Sequence, residues 1–199
     1  MNKRNSFKNN TSAAGTIRII GGAWRGRKLP VLTAEGLRPT TDRLKETVFN
    51  WLQFELPGTH VLDAFAGTGS LGLEALSRGA ASALFLEMNG VAAKQLELNL
   101  GQLKTAEGRV EQIDTLKFLQ QPAKQQFDVV FLDPPFHKSL LMPALKSLIE
   151  NGWLAEEAWI YVETEQQVDL KLMEGLELYR EKKAGQSHAR LFQWTQQHL

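Results

Sequence analysis

The sequence predicts an α/β protein built on a mostly parallel, doubly wound sheet. Three observations predict it. From residue 60 onward, short β-branched or apolar runs alternate with amphipathic helical stretches, the pattern of crossover-connected parallel strands. One run, Phe127-Asp128-Val129-Val130-Phe131-Leu132-Asp133, is nearly all apolar, as a strand buried on both faces must be. Turn residues follow the strands, Gly67-Thr68-Gly69 after one and Pro134-Pro135 after another.

The elements follow in order. Ile17-Arg18-Ile19-Ile20 and Arg27-Lys28-Leu29-Pro30-Val31, broken by Gly21-Gly22, predict a small basic hairpin. Thr40-Thr41-Asp42 supplies N-cap candidates for a helix carrying Leu44, Val48, Phe49, Trp51 and Leu52 and stopped by Pro57-Gly58. Strands are predicted at 60–65, 83–87, 109–113, 127–133 and 158–163. Helices are predicted at about 69–78, 89–103 and 140–149, the second anchored by Val91, Leu96, Leu98 and Leu100. Leu176–Arg180 and Ala189–Trp194 form a final hairpin.

Composition bounds the function. The 199 residues suffice for one large domain, or one domain with a small appendage. With 43% hydrophobic and 23% charged residues, a disordered, collagen-like or fibrous chain is excluded. No apolar run reaches the ~18 residues of a membrane span, and no apolar segment follows Lys3 and Arg4, so neither an anchor nor a secretory signal is expected. Cysteine is absent, which excludes disulfides, Cys-ligated zinc and a thiol nucleophile and fits a cytoplasmic setting. Residues 1–45 hold ten Lys and Arg against Glu35 and Asp42, whereas the remainder is net acidic. A basic head on an acidic body suggests a nucleic-acid contact surface; a solvated charged tail is the plainer alternative.

Gly67-x-Gly69-x-x-Gly72 follows a strand and opens a helix, as in dinucleotide sites. No Lys-Ser/Thr follows, which excludes a P-loop. Asp63, just before the glycines, separates the remaining readings. A pyrophosphate would meet a like charge there, whereas S-adenosylmethionine offers an α-ammonium and a sulfonium. Glu87 ends the next strand, where a carboxylate can accept both ribose hydroxyls, and Met88 could pack on an adenine face. Asp114-Thr115 follows the third strand. Asp114 can accept from the adenine amine, the backbone N–H there can reach a ring nitrogen, and Asp114 is equally a helix N-cap.

Asp133-Pro134-Pro135-Phe136 is the most specific signal. The prolines fix the backbone, so the Asp133 carboxylate and the Pro134 carbonyl become two acceptors at set spacing. An exocyclic base amine has two N–H donors to match, and its lone pair is a poor nucleophile while delocalised into the ring. Two acceptors can draw the hydrogens out of plane and localise the pair. Phe136 can stack on a base taken out of its own strand.

In order and spacing, these four elements resemble class I S-adenosylmethionine-dependent methyltransferases. The DPPF element resembles that of enzymes acting on exocyclic amines of nucleic-acid bases. Arg18-Ile19-Ile20-Gly21-Gly22-x-Trp24-Arg25-Gly26-Arg27-x-Leu29 and Leu37-Arg38-Pro39-Thr40-x-Asp42-Arg43-x-x-Glu46-x-x-Phe49-Asn50-Trp51 are similar to the N-terminal signature of the RsmD family. The resemblance runs from about residue 16 to 194. It implies a Rossmann-like class I methyltransferase with a seven-stranded sheet and helices on both faces, acting on the N2 amine of guanosine 966 in 16S rRNA. The partner would be the 30S subunit or an assembly intermediate, and a monomer is the default.

Carried onto this sequence, the resemblance implies a methionyl-end site at Asp63, Phe65, Gly67 and Gly69, with Glu87 on the ribose and Asp114 on the adenine. Asp133, Pro134, Pro135 and Phe136 form the catalytic element. Asn89 departs from the pattern where a second acid often follows Glu87. Arg18, Arg25, Arg27 and Lys28 would neutralise rRNA phosphates. Trp24 either stacks on a base or, the favoured reading, packs the hairpin onto the body. Arg38, Thr40 and Arg43 close over the cofactor carboxylate or the substrate, unless Arg43 pairs with Asp42 or Glu46. His60, His137, His188 and His198 lack metal-ligand spacing, so no metal is expected. His137 could touch the substrate but is not expected to act as a general base. The chain is thus expected to divide into a disordered basic tail (1–15), a basic hairpin and helix (16–56) and a cofactor domain (57–199). An N6-adenine methyltransferase and a non-catalytic RNA-binding factor on the same scaffold are the rivals.

Overall fold

The computed structural model describes residues 15–31, 42–165 and 173–196. The chain runs β1 (Gly15–Arg18), β2 (Lys28–Val31), α1 (Asp42–Trp51), β3 (His60–Asp63), α2 (Ser70–Ser77), β4 (Ser82–Leu86), α3 (Gly90–Leu103) and β5 (Gly108–Glu111). It continues through α4 (Thr115–Leu119), β6 (Phe127–Leu132), α5 (Leu141–Glu150), β7 (Leu154–Glu165), β8 (Leu176–Ala184) and β9 (Ser187–Thr195). β1 and β2 pair antiparallel as a separate hairpin, and the other seven strands form one sheet in the order β5-β4-β3-β6-β7-β9-β8. β3 to β7 are mutually parallel; β9 runs antiparallel to both β7 and β8.

Apolar side chains of α1, α2 and α3 cover one face of the sheet, with Val48, Phe49, Leu73, Ala75 and Leu96 at its core. α4 and α5 cover the other through Leu119, Ala144, Leu145 and Leu148. β6 lies between two parallel neighbours and buries all but Asp128, whose carboxylate accepts the His60 N–H at 2.7 Å. The chain winds outward from β3 to β5, then returns to the other side of β3 at β6. That reversal opens a crevice at the carboxyl ends of β3 and β6, where doubly wound sheets bind ligands.

The predicted elements all form, with four corrections. α1 ends at Trp51, and turns at 52–55 carry the chain to Pro57. β7 starts at Leu154 and ends at Glu165, longer than the apolar run suggests, because pairing with β6 and β9 satisfies its polar ends. In α3, Val91 and Leu98 are exposed; the buried face is Ala92, Leu96, Leu100 and Leu103, whose spacing holds one helical stripe. The first described strand begins at Gly15, inside the segment predicted as tail; residues 1–14 lie outside the described residues.

Candidate active site

The glycine turn sits at the carboxyl end of β3. Gly69, at φ 75°, precedes α2 and contributes no capping side chain; Asp63 takes the Gly72 N–H instead, and among the described residues the Ser70 and Leu71 N–H groups are those left to a ligand. A Cβ at Gly69 would lie 2.3 Å from the end of the Leu96 side chain, which could shift; the left-handed backbone is what demands glycine. Asp63 is buried beneath the turn and accepts the Gly72 N–H at 2.9 Å. Burial pushes its carboxyl up to about 7; the Gly72 N–H opposes the rise and the Glu87 charge adds to it. The side chain thus braces the turn from within. Phe65 is half-buried and packs on the α4–α5 face.

Glu87 bridges two loops. One oxygen accepts the Gly67 N–H at 2.7 Å and the other the Asn89 N–H at 2.6 Å. Asn89 caps α3 by accepting from Val91 and Ala92, so the amide found where an acid is common has a structural task. Met88 beside it is 69% exposed, a large apolar side chain with little packing of its own. Asp114 caps α4 by accepting the Lys117 N–H, which fulfils the N-cap reading. Thr115 is buried and its hydroxyl donates to the Ala64 carbonyl, so its side chain ties α4 to β3 and the backbone N–H is what it offers a ligand.

β6 delivers Asp133-Pro134-Pro135-Phe136 to the same crevice. Among the described residues no backbone N–H reaches the Pro134 carbonyl. The turn is held from β7: the Glu165 carboxylate accepts the His137 N–H at 2.5 Å and lies 3.3 Å from its Nδ1. His137 is exposed and left-handed at φ 62°, a clamp point outside the turn's acceptor pair. Phe131 and Leu132 pair with Tyr161 and Val162. One step further, that register sets Asp133 beside Glu163, whose carboxylate accepts the Tyr161 hydroxyl at 3.0 Å. Behind the turn, Pro134, Pro135, Leu141, Glu163 and Glu165 line a cleft of about 410 Å³. Sequence reasoning missed Glu163 and Glu165. Their signal was present: two acids closing an otherwise apolar strand.

The N-terminal hairpin is fastened by a residue the sequence reading passed over. Glu74 is fully buried in α2, the one charge in an apolar helix. It accepts the Ile20 and Gly21 N–H groups at 2.9 and 2.8 Å and pairs with Arg78 at 2.8 Å and Lys45 at 3.8 Å. Buried Lys45 donates to the Arg18 carbonyl and the Ser70 hydroxyl, and desolvation lowers its pKa against the Glu74 charge. A Cβ at Gly22 would lie 1.7 Å from the Ser77 carbonyl. Trp24 is half-buried against the core, in line with its packing role.

Arg18, Arg25, Arg27 and Lys28 are exposed. Because the hairpin tip docks at the end of α2, Arg25 and Arg27 stand roughly a helix length, about 12 Å, from the glycine turn. Arg43 is exposed and lines a second, basic cleft of about 250 Å³ with Lys182 and Lys183. No ion pair joins it to Asp42 or Glu46 among the described residues. Arg38 and Thr40 lie outside the described residues.

Sheet order, glycine turn and strand-end carboxylates together define a Rossmann-like class I methyltransferase fold. Residues 17–193 match the family model described as conserved hypothetical protein 95. The chain belongs to the RsmD family, that of ribosomal RNA small subunit methyltransferase D. It is 52% identical over 185 residues to that protein of Haemophilus influenzae, covering 92% of this chain and 96% of the relative. It is 50% identical over 187 residues to that of Escherichia coli K12, covering 94% of each. A solved Escherichia coli structure, 50% identical, superposes with a TM-score of 0.85 over 92% of this chain and 100% of the other.

Proposed function

We propose that this protein transfers a methyl group from S-adenosylmethionine to the N2 amine of a guanosine, position 966, in 16S rRNA of the small subunit. The coarser statement, an rRNA methyltransferase, rests on the family. An exocyclic base amine as acceptor rests on the DPPF element, and the single observation that carries it is the pair of acceptors at Asp133 and Pro134, fixed by two prolines and a clamp from β7; the choice of guanine N2 rests on the resemblance to the RsmD family.

S-adenosylmethionine supplies an electrophilic methyl on a good leaving group. The chain's own groups fit it. The first N–H groups of α2, ahead of the Gly72 N–H that Asp63 takes, suit its carboxylate, and Asp63 and the Gly67–Gly69 turn suit its α-ammonium side. Glu87, already oriented by two backbone N–H groups, suits the ribose hydroxyls; exposed Met88 and the start of α4 at Asp114 and Thr115 suit the adenine. Arg38 and Thr40, which lie outside the described residues, are assigned by the family resemblance alone to the cofactor carboxylate or the substrate.

Asp133 and the Pro134 carbonyl receive the two amine hydrogens, draw them from the ring plane and localise the nitrogen pair. Phe136 stacks on the extruded base. With the cofactor bound, its sulfonium would supply the methyl group and keep the bond pair, the localised pair of the amine nitrogen would face the methyl carbon in line, and Asp133 can accept the amine proton. Positioning carries the rate, because the leaving group needs no activation. Arg18, Trp24, Arg25, Arg27, Lys28 and Arg43 form the RNA-facing set, to which Lys182 and Lys183 add. The reaction belongs in the cytoplasm, on an assembled or assembling subunit.

The test is labelled S-adenosylmethionine with small subunits from cells lacking the protein, followed by digestion of the rRNA. N2-methylguanosine is the expected product. N6-methyladenosine would keep the chemistry and refute the base.

A further inference from the structure

Glu163 has no assigned task, yet it is buried and faces the cleft behind the catalytic turn. Its Oε2 accepts the Tyr161 hydroxyl at 3.0 Å; among the described residues its other oxygen has no partner. That oxygen is open to the cleft, where a donor from water or a ligand can meet it. Tyr161 is fully buried, and burial with the neighbouring Glu163 and Asp133 charges holds its phenol protonated. It therefore donates permanently to Glu163 and fixes that carboxylate.

The strand register puts Glu163 next to Asp133, on adjacent parallel strands about 4.8 Å apart. Both side chains follow Phe131 and Tyr161 onto one side of the sheet. Glu163 and Pro134, the residue that follows Asp133, line a cleft of about 410 Å³ with apolar walls at Pro135 and Leu141, of the size that admits a single flipped base.

Two neighbouring acceptors select among bases. Guanine carries donors side by side, the N2 amine and N1–H. Adenine carries an amine beside an N1 lone pair, which a carboxylate would repel. We propose that Glu163 accepts the N1–H of the target guanine while Asp133 and the Pro134 carbonyl hold its N2 amine, so that Glu163 selects the base. This rests on the N2-guanosine reading above.

The test uses small subunits reconstituted with 16S rRNA carrying either guanine or 2-aminopurine at the target position. 2-Aminopurine keeps the N2 amine but has an acceptor at N1. Wild-type protein should favour guanine at least about tenfold in kcat/KM, because the site would face an unmatched lone pair. Glu163→Gln, whose amide can donate to that lone pair, should lower transfer to guanine and narrow the preference at least about tenfold, with cofactor affinity unchanged. Equal use of both bases by the wild type, or an unaltered preference in E163Q, overturns the proposal. Should E163Q fail to bind cofactor, Tyr161→Phe takes its place: a preference narrowed about threefold supports the proposal, and an unchanged one overturns it. No N2 methylation of guanine by the wild type refutes the broader reading and the proposal with it; N2 methylation without base discrimination refutes Glu163 alone.

Discussion

The Glu87 carboxylate receives the Gly67 N–H across 2.7 Å, so the acid that ends β4 and the turn that ends β3 form one unit. In the proposed function, the group that meets the ribose also holds the glycine turn that meets the methionyl end. Removing it should therefore damage both ends of the cofactor site. Hydrogen bonds to a charged group contribute about 1.5–3 kcal/mol, so Glu87→Ala should weaken S-adenosylmethionine binding by about 10- to 100-fold in calorimetry. An unchanged affinity would remove Glu87 from the site.

In the proposed function, Asp133 lies on the substrate side. Asp133→Ala should retain cofactor affinity and reduce single-turnover methyl transfer by about two to three orders of magnitude, the scale on which one aligned polar group matters in a reacting site. Turnover near wild type would sink the DPPF assignment.

Asp63 titrates near neutrality. Its folded pKa, about 7, lies above its unfolded value, so the protonated form is favoured by folding. Its stabilising contribution is full below the unfolded pKa and is lost as pH rises through 7. The ligand-free protein should lose urea resistance as pH rises from about 4 to 7 and level off above that, and Asp63→Asn should flatten that slope. Affinity for the cationic amino-acid end should rise as pH passes through about 7, because the ionised carboxylate attracts it. A pH-independent affinity would mean that Asp63 only braces the turn.

Glu74 joins two charged partners and two backbone N–H groups in a buried setting. Glu74→Ala strands Lys45 and should destabilise the fold by about 3–5 kcal/mol in urea denaturation. A loss below about 1 kcal/mol would show that apolar contacts alone hold the hairpin.

The two basic surfaces can be separated by salt. Neutralising Arg43, Lys182 and Lys183 together should reduce the slope of log affinity against log salt by about 2, as expected when three phosphates are no longer neutralised. The same change at Arg25, Arg27 and Lys28 measures the hairpin's share. A slope unchanged in the first triple would confine the RNA footprint to the hairpin side.

Much of this was legible in the sequence because local signals agreed with the fold. The apolar run of β6, the glycines before α2 and the prolines after β6 each encode a backbone requirement within a few residues. What escaped is non-local. Glu74 reads as an oddity in an apolar helix until Ile20 and Gly21, over fifty residues away, arrive to use it. Glu163 matters only because parallel pairing sets it beside Asp133. The basic cleft needs α1 and β8 brought together, and neither segment is conspicuous alone. Val91 and Leu98 failed as anchors for the opposite reason: hydrophobicity was read without the helical stripe that decides its direction.

The anchoring of the hairpin also orders events in time. Ile20 is separated from the Glu74 carboxylate it needs by 54 residues. During synthesis the basic hairpin is made first, yet its fastening arrives only after α1, β3 and most of α2 have been made. Its contacts close a long loop, the kind that forms late. The segment proposed to meet RNA is thus completed by the domain proposed to bind cofactor, and a chain halted before residue 74 would carry its arginines without the surface that displays them.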